Sequence, residues 1–191
     1  FIGILGLYFF VNPLTAVLAG LSSLVYVLAY TPMKLKSEFA VYLGAIPGAI
    51  PPVLGWTSVT GSLDSMAWVL FIFLFCWQLP HFLAISIFQA KDYMNAKICV
   101  YPNERGFLVT KWVIFIFCFL MFISSIVPFY LENASLVYFW VATALGGTFC
   151  FLGLQGFRIE NDGVLMIQWA RRCFVASIIY LPILLGAMII L

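Results

Sequence analysis

Long apolar runs separated by short polar stretches set the pattern of this chain. Apolar residues fill 13–30, 39–56, 66–88, 112–130, 136–157 and 173–191, with polar connections at 31–38, 57–65, 89–111, 131–135 and 158–172. A helix crosses a bilayer core of about 30 Å with roughly 20 apolar residues, and it satisfies its own backbone groups as lipid requires. The runs do not alternate as barrel strands would. The pattern predicts an all-α, polytopic transmembrane helix bundle forming a single membrane domain over 1–191, with no second soluble domain, repeat or linker.

Prolines and glycines modify individual runs. Residues 1–10 are too short to span alone, and Asn12-Pro13 separates them from the run at 13–30, so they read as the tail of a truncated helix. The sequence starts at Phe1 within an apolar stretch, with no initiating Met and no n-region or small-residue cleavage site of a signal peptide in view, so the chain is expected to be a fragment lacking its beginning. Thr31-Pro32 is expected to stop the first full helix. The run 39–56 carries Pro47, Pro51 and Pro52 and is expected to be a broken helix, with Gly44 and Gly48 as a small-xxx-small pair for close approach.

Composition agrees with the bilayer as solvent. Hydrophobic residues make up 65% of the chain and charged residues 8%, against about a quarter in soluble domains. Every Lys and Arg falls in three of the connections: Lys34 and Lys36; Lys91, Lys97, Arg105 and Lys111; Arg158, Arg171 and Arg172. The two connections between them carry only Asp64 and Glu132. The positive-inside rule puts the basic connections in the cytoplasm. The five cysteines have no CxxC spacing and are expected to pack as small apolar groups, with only Cys99 in a connection.

Candidate chemistry gathers between Trp77 and Arg105. His81, the single histidine, lies in an apolar run, where an ionisable group is a functional hypothesis by default. Gln78 is three residues before it and is expected on the same helix face near the Pro80 kink. On a continuous helix Asp92 would lie roughly 16 Å further along, nearly on that face. An acid able to hold Mg²⁺ and lysines able to neutralise phosphate suit a diphosphate joined to something greasy.

YTPMKLKS, GAIPGAIPPVLGW, WQLPHFLAI and DYMNA together resemble the protohaem IX farnesyltransferases of the UbiA superfamily of intramembrane prenyltransferases. The resemblance implies a helical bundle around a large membrane cavity opening to the cytoplasm. It implies Mg²⁺-assisted transfer of farnesyl from farnesyl diphosphate to a vinyl group of haem B, with addition of water, giving haem O. The implied partners are those two substrates, the bilayer and oxidase assembly factors, with no nucleic acid, and the implied location is a bacterial plasma membrane.

Carried over by motif, Asp92 and Tyr93 stand in the DYxxA motif, with Asp92 binding Mg²⁺ and diphosphate. Lys34 is expected to face the diphosphate and His81 to contact the porphyrin, with Gln78, Lys36 and Lys97 as further substrate-binding residues. The chain departs from the family pattern at Leu35, Ala40 and Lys97, and it holds no first aspartate-rich motif, so it is expected to be inactive alone. Three other readings share its features: a sister enzyme prenylating a quinone precursor, a transporter, and a non-catalytic haem-binding assembly protein.

Overall fold

A computed structural model describes residues 2–131, 134–161 and 163–190, and every regular element among them is helical. Glu132, the acid of the connection 131–135, and the terminal residues Phe1 and Leu191 lie outside the described residues. α1 (Ile2–Phe10) leads into α2 (Pro13–Leu24), whose start is capped by Asn12: its side chain accepts from Thr15 N at 2.8 Å. Pro13 sits in the first turn, where a missing N–H removes no helical bond. Asn12 Nδ2 also donates to Thr57 O (2.8 Å), and the hydroxyls of Thr15 and Thr57 lie 2.9 Å apart, which docks this end of α2 on the fourth helix.

Pro32 does not stop the first span. The helix widens into a π-helical turn, Val25–Tyr30, and continues as α3 (Thr31–Met33). Thr31 supplies both its N–H and its Oγ1 (2.9 Å) to Tyr26 O, five residues back, and Pro32 falls in the first turn of the resumed helix. The proline is absorbed because the wide turn has already shifted the hydrogen-bond register.

The run at 39–56 is likewise not broken: α4 (Ala40–Thr60) is one helix containing all three prolines, ended by Gly61 at φ 67°. Its neighbour supplies a side-chain donor, since Gln78 Nε2 bonds Ala45 O at 2.8 Å. Five helical stretches are long and apolar enough to cross a membrane by length and composition: Pro13–Met33, Ser65–Phe88, Tyr101–Leu131, Leu136–Arg158 and Val164–Ile189. α4 is not among them, although it is 21 residues long; prolines and glycines dilute its apolar content.

α5 (Ser65–Phe88) is the central helix, packed against α4, α7 (Tyr101–Leu131) and α9 (Val164–Ile190). Within its most apolar window 61% of residues are buried inside the protein, against 33% or less for the other four spans. That ratio fits a helix apolar on all sides with protein around it. Asp64 caps it, accepting from Met66 N and Ala67 N (both 3.1 Å) and from Trp56 Nε1 (2.9 Å). These bonds hold the Asp64 carboxyl below its ordinary pKa, the Trp56 donor contributing most. α8 (Leu136–Gln155) packs beside α7 and α9, with Tyr138 and Tyr180 both bonded to Ser125 (2.7 and 3.2 Å).

The connections 89–111 and 158–172 are shorter than hydropathy suggests. Gln89 ends α5 and is succeeded by a short helix, α6 (Ala90–Asn95); α7 already begins at Tyr101, with Gly106 at φ 80° departing from helical geometry. Lys111 is therefore a buried helical residue, and its Nζ donates to Ile159 O (2.7 Å), just beyond α8 and its terminal 3₁₀ turn Gly156–Arg158. A cation there meets carbonyls that the helix end leaves without partners. Arg171 and Arg172 lie within α9 on its exposed side, while Trp169, Ala170 and Cys173 face inward. Charge marks the solvated face of that helix, not its end.

Candidate functional site

A cavity of about 670 Å³ lies between α2–α3, α4, α5 and the segment 93–101. At one end it is lined by Lys34, Glu38, Tyr93, Cys99 and Tyr101. Deeper in, Val27, Pro47, Phe82 and Leu83 supply apolar wall, together with Tyr26, Tyr30, Ser22 and Gln78. Gly48, eight residues into α4 from Ala40, marks the depth, roughly 12 Å along that helix. A second, smaller cavity of about 230 Å³ lies between α2, α4 and α5, lined almost wholly by apolar side chains such as Leu18, Ile50 and Phe71.

Two glycines shape the larger cavity. A Cβ at Gly44 would lie 2.8 Å from Cε2 of Tyr30, and one at Gly48 would collide with Gln78 Oε1. The expected small-xxx-small pair therefore seats two side chains that line the cavity. Tyr30 in turn lies under Lys34, whose Nζ is 5.8 Å from its ring centroid.

The polar end is closed by contacts between the two connections that form it. Cys99 N donates to Lys34 O (3.1 Å), and Arg105 Nε bonds Glu38 Oε1 at 2.6 Å while its guanidinium lies 5.4 Å from the Phe39 ring centroid. The hydroxyls of Tyr42 and Tyr101 are 2.9 Å apart beneath this pair. Burial pushes the Glu38 carboxyl up, but bonds from Arg105, its own backbone and Ser37 outweigh that and hold it below its ordinary pKa. Burial raises Tyr93, and burial with Glu104 and Glu38 nearby raises Cys99, so both stay protonated at neutral pH.

Of the residues singled out from sequence, Lys34, Tyr93 and Gln78 line the cavity together. Asp92 is exposed on α6 next to Tyr93, outside the lining, and has no side-chain partner among the described residues. Lys36 and Lys97 are exposed and also outside it. Lys97 holds a left-handed φ of 56°, the position where the resembled family pattern has Gly.

Gln78 and His81 do not share a face. Gln78 turns to α4, whereas His81 Nδ1 is 2.7 Å from Ser177 Oγ of α9 and its ring stacks between Trp77 and Phe174, with centroids 5.2 and 4.8 Å away. Three residues advance a helix by about 300°, so an offset of about 60° separates them. On a helix flanked by different partners that offset is decisive. Nor does Asp92 continue the His81 face, because α5 ends at Phe88 before α6 begins.

Sequence reasoning passed over Tyr26, Tyr30 and Glu38. Tyr26 and Tyr30 stand four apart in a helix, the spacing that aligns side chains on one face. Glu38 was visible as the lone acid in a basic connection.

A carboxylate site for Mg²⁺ needs several oxygen ligands. No group of three His, Cys, Asp or Glu able to hold a metal occurs among the described residues; Glu38 is engaged by Arg105, and Asp92 stands apart. The residues present do not by themselves make a Mg²⁺ site.

The sequence matches the UbiA prenyltransferase family over residues 1–187. It is similar to the protoheme IX farnesyltransferase of Sorangium cellulosum (strain So ce56), 45% identical over 180 residues that cover 94% of this chain and 63% of that protein. The protein of the same name from Myxococcus xanthus (strain DK1622) is 38% identical over 179 residues, 93% of this chain and 59% of the relative. Protoheme IX farnesyltransferase 2 of Bacillus velezensis is 37% identical over 181 residues, 93% and 56%. The chain thus spans about six-tenths of the length of these curated relatives and no solved structure matches it. With the match extending over nearly every residue of an all-helical bundle with membrane-length helices, the chain belongs to the UbiA prenyltransferase family.

Proposed function

We propose that this chain forms much of the active cavity of an enzyme that transfers a farnesyl group from farnesyl diphosphate to a vinyl group of haem B, giving haem O. The observation that carries the reading is the division of the 670 Å³ cavity, with Lys34, Tyr93 and Tyr101 at one end and apolar and aromatic wall below. A prenyl diphosphate has that same division. The relatives' name, protoheme IX farnesyltransferase, supports farnesyl as the transferred group and protohaem as the acceptor.

Lys34 receives the diphosphate at the mouth, where a compact ammonium acts as a point charge. The phenols of Tyr30 and Tyr93 offer hydrogen bonds to its oxygens. Negative charge grows on the diphosphate as the C–O bond breaks, so donors held at that end lower the barrier. The allylic cation then lies among Tyr26, Tyr30 and Phe82, whose ring faces attract positive charge. The apolar wall excludes bulk water until the vinyl carbon has attacked.

A magnesium salt of the diphosphate would find one oxygen ligand in Asp92, beside Tyr93. His81 is held on the α9 side of α5, so a contact with the acceptor comes from that side. The mouth faces the cytoplasm of a bacterial plasma membrane, because Lys34, Lys36, Lys91 and Lys97 gather at that end. Lacking a carboxylate cluster among its described residues, the stretch is expected not to turn over alone.

The test uses the full-length protein in membranes supplied with haem B, farnesyl diphosphate and Mg²⁺, with porphyrins resolved by mass spectrometry. A hydroxyethylfarnesyl haem that depends on Lys34 and Asp92 supports the reading. Prenylation of an added aromatic quinone precursor with haem unmodified moves the protein to a sister activity, and haem binding without turnover makes it a non-catalytic carrier.

A further inference from the structure

Gln78 is 3% exposed, and both hydrogens of its amide are spoken for: Nε2 donates to Ala45 O of α4 at 2.8 Å and to Leu74 O of α5 at 3.1 Å. Two carbonyl partners can only face the NH₂ group, so the orientation of the amide is fixed by chemistry. Its oxygen is thereby directed elsewhere. Oε1 lies over Gly48, has no donor among the described residues and is not sealed from the cavity that Gln78 and Gly48 both line. A buried acceptor without a donor is costly unless something in the cavity supplies one.

We infer that Gln78 Oε1 accepts a hydrogen bond from the water that adds to the substrate after prenyl transfer, and so sets the product as an alcohol instead of an alkene. The inference rests on the proposed transfer to a haem vinyl group. When the terminal vinyl carbon bonds to the farnesyl cation, the vinyl π pair is consumed and positive charge moves to the adjacent carbon, next to the porphyrin. That cation has two exits: loss of a neighbouring proton gives an alkene, and capture of water gives an alcohol. In the second, a water lone pair forms the C–O bond and the oxonium proton passes to the departing diphosphate, which leaves as its hydrogen form.

The character of Gln78 favours capture. A carboxylate at this depth would be a base able to remove the proton, whereas an amide oxygen orients a water without competing as a base. Cavity water needs two to four polar partners, and Ser22, Ser23 and Tyr26 line the same cavity as further hydroxyl groups. The absence of a side chain at Gly48 lets Oε1 sit against α4 at the cavity wall, in space that a Cβ would contest.

The experiment compares full-length wild type with Gln78→Met and Gly48→Ala, in membranes with haem B and farnesyl diphosphate. The readout is the ratio of hydroxylated to anhydro prenylated haem, products that differ by one water in mass. Gln78→Met keeps the bulk and removes the acceptor; Gly48→Ala keeps Gln78 and crowds its oxygen. Each variant is expected to shift the ratio at least tenfold toward the anhydro product, with total prenylated haem falling less than the ratio changes. An unchanged ratio in variants that still prenylate haem overturns the assignment. Should Gln78→Met fail to accumulate, Gly48→Ala decides by the same ratio. Absence of any prenylated haem in wild type instead refutes the transfer reading itself.

Discussion

Replacing Gly44 by Ala tests whether the cavity wall is built as described. The new methyl would lie 2.8 and 2.9 Å from Cε2 and Cδ2 of Tyr30, whereas carbon atoms pack at about 3.5–4.0 Å. The ring must retreat by roughly 0.7 Å or more to restore that spacing. Tyr26, whose ring centroid is 5.3 Å away on the same π-helical turn, limits retreat along that turn, so the ring moves into the cavity that both tyrosines line. Overpacking of this kind costs about 1–3 kcal/mol. That cost falls on the folded state and lowers the melting temperature, while the displaced ring narrows the cavity and raises KM for the prenyl diphosphate.

Gly55→Ala on the same helix is the matched control. A Cβ there meets nothing within 4 Å, and Ala is the better helix former by about 1 kcal/mol. Thermal unfolding in detergent should therefore move in opposite directions for the two variants, with KM changing only for Gly44→Ala. Equal melting temperatures and an unchanged KM in Gly44→Ala would refute the placement of Tyr30 against α4.

Three other outcomes test the local chemistry. Glu38 has a folded-state pKa below its ordinary 4.5, so its pairing with Arg105 stabilises the mouth fully above that pH and is lost as pH falls through the lowered value. The melting-temperature gap between wild type and Glu38→Gln should be present at pH 7 and vanish at acidic pH; a gap independent of pH contradicts the pair. Asp64→Ala deprives Met66 N, Ala67 N and Trp56 Nε1 of one acceptor, whereas Ser135→Ala deprives only Tyr138 N. The first should lower the melting temperature more than the second, and the reverse order would deny Asp64 its capping role. Lys97→Gly relieves a left-handed backbone worth roughly 1–2 kcal/mol, partly offset by the greater freedom of Gly when unfolded. A higher melting temperature is expected, and a lower one would show that the Lys97 side chain makes contacts that outweigh the strain.

The sequence by itself determined that this is a helical membrane bundle, because apolar runs of membrane length admit few other solutions in lipid. Its motifs also pointed to Lys34, Tyr93 and Gln78, which the fold brings to one cavity. Hydropathy was a poorer guide to where helices end. It read Lys111, Arg171 and Arg172 as connection residues, yet a helix continues through charge when one face is solvated or a carbonyl receives the ammonium. Proline rules failed at Pro32, where a π-helical turn changes the bonding register, and in α4, which remains one helix through Pro47, Pro51 and Pro52.

Only the tertiary structure decided which neighbour each side of α5 meets. Gln78 and His81 are close in sequence and on the helix surface, yet one bonds α4 at the cavity and the other packs against α9. Periodicity fixes angles about a helix axis, whereas the positions of surrounding helices determine what each angle faces. The same reason kept Tyr30 and Glu38 out of the sequence reading, because their roles arise from Gly44 and Arg105, partners 14 and 67 residues away in the chain.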